Sequence, residues 1–93
     1  MRYSEDERSA LRSLHGMLEF DPPRNEFQMR RMFEALHEGA NMPLRDIATG
    51  LKRTESTILD WMADGPLPEA AEWPEIIKSV MTLILSTIEQ EEA

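Results

Sequence analysis

The sequence predicts a single all-α domain, a small bundle of about five helices. Three observations carry this expectation. Apolar residues recur three and four positions apart in five separate segments. Proline, glycine or a capping residue punctuates the boundaries between them. No segment alternates apolar and polar residues over the length of a strand. A chain of 93 residues holds one domain, taken here as residues 1–93. So short a chain buries a modest share of its surface, and association with a second copy is a common remedy.

The first helix is expected over residues 5–19. Ser4 and Glu7 have the spacing of a capping box, in which the serine oxygen accepts from an orphan amide and the glutamate reaches back. Ala10, Leu11, Leu14, Met17 and Leu18 then follow at helical spacing, and Asp21-Pro22-Pro23 stops the helix because proline lacks an amide donor. Asn25 and Gln28 form a second candidate box. They precede a helix from about 26 to 38 with Met29, Met32, Phe33 and Leu36 as its stripe. Gly39 stands where a left-handed C-cap is expected. Pro43 suits the first turn of a third helix through Ile47, Ala48 and Leu51. Thr54 is the expected N-cap of a fourth, with Ile58, Trp61 and Met62, which Gly65-Pro66-Leu67-Pro68 ends. A short helical turn is expected over residues 69–72.

Pro74 opens the last helix, expected over 74–91 as a packing and dimerisation element. Its apolar set forms two seams, one of Ile77, Met81, Ile84 and Ile88 and one of Ile76, Val80 and Leu83. A surface helix needs one stripe. Two seams fit one face on the core and one on a second copy, with Ile77, Met81, Ile84, Leu85 and Ile88 as the candidate dimer interface; a fully buried central helix is the other reading. Met29, Met32, Met62 and Met81 read as adaptable core filling, with a promiscuous binding groove as the alternative. Trp73 either staples the start of the last helix or faces a partner.

Several chemistries have no support in the residues. There is no cysteine, hence no disulfide framework and no thiolate metal site, which fits a reducing compartment. His15 and His37 belong to no metal-spacing motif, and no metal or cofactor is expected. No acid–base pair, nucleophile motif or phosphate loop is recognisable, so catalytic residues are not expected and the chain does not read as an enzyme. No apolar run approaches the ~20 residues that span a bilayer. The N-terminal stretch is too acidic for a targeting peptide. A cytoplasmic location is the expectation.

Charge is uneven. Residues 1–23 carry three Lys/Arg against five Asp/Glu, a net of −2. Residues 24–53 carry six against four, a net of +2, and residues 54–93 one against nine, a net of −8. The middle segment could face a polyanion; the last would repel one unless held away from it, or serves only as a solubilising face.

The segment from Leu44 to Trp61 carries the most specific pattern. Two helices crossing over a short turn need a small residue where they approach and apolar residues later to lock the second helix. Ala48 is the small residue, Ile58 lies ten positions on, and Trp61 three further. This spacing resembles the helix-turn-helix of phage repressor, Cro and CII-like regulators, over about residues 27–65. Lys52 and Arg53 stand where such motifs usually have glycine and an apolar residue, so either the turn moves to Gly50-Leu51 or Lys52 takes it. No hairpin pattern follows residue 65, so no wing is expected.

The resemblance implies a small dimeric transcription regulator that binds double-stranded DNA. Groove-facing residues would be Thr54, Glu55, Ser56, Leu59 and Asp60. Thr54, Ser56 and Thr57 could donate to phosphates or base edges. Arg30, Arg31, Arg45, Lys52 and Arg53 would meet phosphates. No arginine lies on the presumed recognition face. The alternative is an acidic adaptor or antagonist on the same scaffold, whose C-terminal part engages a basic partner protein.

Overall fold

The computed structural model describes residues 2–93. Five α-helices and two short helical turns follow one another: α1 (Glu5–Phe20), α2 (Glu26–Glu34), a π-type turn (Ala35–Gly39), α3 (Leu44–Leu51), α4 (Glu55–Met62), a 3-10 turn (Ala70–Glu72) and α5 (Trp73–Glu92). No strand occurs among the described residues.

The caps explain most boundaries. At α1 both arms of the box form: Ser4 Oγ accepts from Glu7 N at 3.0 Å, and Glu7 Oε1 accepts from Ser4 N at 2.8 Å. The other Glu7 oxygen accepts from the Asn41 side-chain amide, which ties the start of α1 to the loop before α3. That donation, helped by the Ser4 amide, holds the Glu7 carboxyl below its ordinary range. At α2 only one arm matches expectation. Asn25 accepts from Gln28 N, but the Gln28 side chain reaches one residue further back, to Arg24 N at 2.7 Å.

Two local expectations change. Gly39 is not a left-handed cap; no glycine has positive φ, and Asn41 takes that conformation at φ 58°. The cause is the widened turn. Ala40 N bonds to Ala35 O and Met42 N to Leu36 O, so the end of the second helical segment satisfies its carbonyls without a turn at Gly39. His37 Nδ1 closes the same loop by donating to Met42 O at 2.8 Å. Pro43 lies just outside α3, its carbonyl accepting from Asp46 N and Ile47 N.

One apolar core joins all five helices. Leu11, Leu14 and Leu18 come from α1, and Met29, Met32 and Phe33 from α2. Ile47 and Ala48 come from α3, Ile58 and Trp61 from α4, and Ile76, Ile77, Val80 and Ile84 from α5. Phe33 and Trp61 pack with ring centroids 5.3 Å apart. Trp73 staples its own helix, its indole donating to Pro68 O at 2.8 Å. α5 packs against α1 and α3, whereas α4 packs against α2 and α3.

The placement of α5 corrects the dimer expectation for two residues. Ile77 and Ile84 are buried inside the chain itself, so neither is available to a second copy. Met81 and Ile88 are half-buried against the same core, and Leu85 alone of the five remains well exposed. Both seams contribute to the chain's own core, Ile77 and Ile84 from one and Ile76 and Val80 from the other.

The α3–α4 turn resolves the alternative left by the sequence. Lys52 takes the left-handed position at φ 59°. Arg53 N bonds to Ala48 O at 2.9 Å and Lys52 N to Thr49 O at 3.2 Å. This is a Schellman closure with lysine in the place that glycine occupies without steric cost. Lys52→Gly is therefore expected to raise unfolding stability by about 1 kcal/mol in urea titration; a loss of stability would contradict the strain.

Candidate nucleic-acid interface

The exposed face of α4 follows from its buried one. Ile58 and Trp61 face the core, and Thr57 is half-buried. Glu55, Ser56, Leu59 and Asp60 therefore lie outward, in the paired rows that helical spacing dictates. Leu59 is 47% exposed, a large apolar side chain at the surface. Ala48 is buried, and Gly50 lies on α3 where it meets α5: an added Cβ would come within 2.8 Å of the Leu83 side chain.

The hydroxyls are less free than their residue types imply. Thr54 Oγ1 accepts from Thr57 N at 3.2 Å and shares a hydrogen bond with Thr57 Oγ1 at 2.9 Å. Both are occupied in starting α4. Ser56 is the outward hydroxyl of this helix.

The five candidate cations separate into three groups. Lys52 and Arg53 are exposed at the α3–α4 turn, Arg45 is exposed in the first turn of α3 and shares a shallow cleft with Glu55, and none of the three has an ion-pair partner among the described residues. Arg53 stacks over the Trp61 ring at 5.7 Å, a contact that anchors its stem and leaves its charge at the surface. Arg31 sits elsewhere, over Phe27 at 5.8 Å and 3.9 Å from Glu34, in a groove between α1 and α2. The Arg30 guanidinium is engaged within the chain. Its Nη1 donates to Asp60 O, Trp61 O and Ala63 O, and its Nη2 to Gly65 O at 2.9 Å. Asp60 O also accepts from Gly65 N, and Ala63 and Gly65 lie beyond α4, so Arg30 clamps the end of α4 and the chain that leaves it from thirty residues away. Nothing in the sequence spacing marks this, because the contact is long-range.

Charge around α4 is balanced. Residues 44–62 hold three cations, Arg45, Lys52 and Arg53, and three carboxylates, Asp46, Glu55 and Asp60. Asp46 is engaged by Arg2 at 2.8 Å. The chain's −8 therefore lies wholly outside this unit. The end of α5 is tied down as well: Glu91 accepts from Tyr3 N at 2.7 Å, and Glu92 pairs with Arg12. It is not a free acidic tail.

Among the described residues, no group of three His, Asp or Glu could hold a metal ion, and no helix is long and apolar enough to cross a membrane. The sequence reading missed the groove beside Arg31. Phe20 and Phe27, on either side of Pro22-Pro23, lie outside both helical stripes, and that was the available signal.

Arg30→Gln is expected to lower unfolding stability by about 2 kcal/mol, because four carbonyls lose a charged donor. Arg30→Lys is expected to restore little of it, since an ammonium lacks the planar fork. Unchanged denaturation midpoints in both variants would contradict the clamping role.

No family model, curated protein or solved structure matches the chain.

Proposed function

We propose that the protein is a small DNA-binding regulator, with α3 and α4 as a helix-turn-helix and α4 as the helix that enters the major groove. The observation that carries this reading is one exposed helix face entered from a turn with two exposed cations, with a third beside Glu55. Glu55, Ser56, Leu59 and Asp60 are exposed, Lys52 and Arg53 lie in the turn that leads into α4, and Arg45 shares a shallow cleft with Glu55. The turn supports it further. A lysine sits in left-handed conformation where glycine would avoid the steric cost, which makes sense if its charge is used. The −8 charge lies outside the unit, and α5 packs on α1 and α3 rather than on α4.

In this reading, Ser56 and Leu59 meet base edges, the latter through a thymine methyl, and Glu55 or Asp60 accepts from cytosine N4. Arg45, Lys52 and Arg53 meet phosphates and fix the register. Two copies on neighbouring half-sites would meet through the open edge of α5, Leu85 with Met81 and Ile88. That contact is small, so the DNA would supply most of the pairing.

The test is fluorescence anisotropy on random-sequence duplex DNA at low salt, with the mass of the free protein measured in parallel. Micromolar binding is expected, with a slope of log K against log salt of about −3 for three phosphate contacts. Arg53→Ala should weaken binding to every sequence and flatten that slope by about one, whereas Ser56→Ala should change sequence preference at a constant slope. An Arg53→Ala protein with the wild-type slope would overturn the phosphate assignment. Absence of any binding at low salt would overturn the reading as a whole.

A further inference from the structure

A second surface has the character of a docking site. The groove between the end of α1 and α2 has a volume of about 630 Å³ and an apolar floor of Met17, Leu18, Phe27 and Met32. Met17 is 54% exposed and Phe27 69%. Phe20, three residues beyond Met17 on the same helix face, is 89% exposed. Three of the five large exposed apolar side chains are thus gathered at one corner of the molecule, which scattered surface residues would not produce.

Charge selects the occupant. Three carboxylates line the groove, Asp21, Glu34 and Glu38, against one arginine, Arg31; Asp21 and Glu34 each face an arginine, and Glu38 has no ion-pair partner among the described residues. Of the three arginines in residues 17–39, Arg30 is turned to the end of α4, Arg24 is held by Asp21 at 2.8 Å, and Arg31 lies 3.9 Å from Glu34. An anionic lipid surface, a nucleic acid or an acidic peptide would be repelled. A second copy would bring the same acidic rim and another −8 of charge.

We propose that this groove docks one amphipathic helix with a basic polar face, supplied by another protein. The apolar face of that helix would cover Met17, Phe20 and Phe27, and its Lys or Arg residues would meet the carboxylates of the rim. Flexible methionines on the floor suit a helical ligand laid in a groove. The inference does not rest on the reading of α4, which uses other residues.

The experiment uses the full chain and a labelled synthetic peptide of Leu and Lys, about 14 residues long or four helical turns, with leucine at helical spacing. Two controls accompany it: a scrambled isomer of equal composition, and the Leu–Glu counterpart. Binding of the patterned Lys peptide in the micromolar range is expected, with the isomer at least about tenfold weaker and the Glu peptide not bound. Phe20→Ser and Phe27→Ser keep the charge and remove exposed side chains. Each should weaken binding about tenfold at an unchanged melting temperature, while Leu85→Ser should not. Equal binding of the isomer, or wild-type affinity in both Phe variants, would overturn the proposal, since charge alone would then explain the affinity. A wild-type dimer that Phe27→Ser converts to monomer would overturn it too, with a second copy as the occupant.

Discussion

The guanidinium of Arg30 lets an eight-residue helix end where it does. A helix this short is marginal by itself, and its last carbonyls need donors. Backbone amides reach two of them, Ala63 N to Leu59 O and Gly65 N to Asp60 O, without a left-handed glycine. Gly65 lies so close to Asp60 that an added Cβ would come within 2.5 Å of the Asp60 Cβ. One side chain from α2 collects the carbonyls of residues 60, 61, 63 and 65. With Phe33 against Trp61, it fastens α4 to α2 at the end opposite the Thr54 cap. The outward direction of Glu55, Ser56, Leu59 and Asp60 depends on that fastening.

What was legible in the sequence was local. The Ser4 box, the Thr54 cap and the stripes of α1, α2 and α4 lie within a few residues of their causes, and spacing reveals them. The five helices and the absence of strands followed from them. Long-range choices were not legible. Arg30 read as a surface cation because its acceptors lie some thirty residues on. Ile77 and Ile84 read as interface because periodicity cannot tell a neighbouring helix of the same chain from one of another. Met17 fitted the stripe of α1 but sits at the edge of a groove instead. Gly39 lost the left-handed role to Asn41 because a π-type turn intervened, and composition does not announce such a turn.

The molecule separates its charges by region. The α3–α4 unit is neutral overall, with Lys52 and Arg53 in its turn, while the α1–α2 corner, the 63–72 connection and α5 carry the acid. One surface is thereby compatible with phosphates and the other with a basic helix. A chain with both could join a DNA site to a basic protein, each surface repelling the other's ligand. The strained lysine at the turn and the exposed phenylalanines at the corner mark the two places where the sequence departs from what stability alone would choose.

The most direct measurement of the central claim is a residue-resolved titration: amide chemical shifts of the labelled protein as a short duplex is added at low salt. The account predicts shifts concentrated in residues 44–62, strongest from Lys52 to Leu59, with the α1–α2 groove and the end of α5 unmoved. Shifts confined to those other regions, or none at all, would contradict the assignment of α4 as the helix that reads DNA.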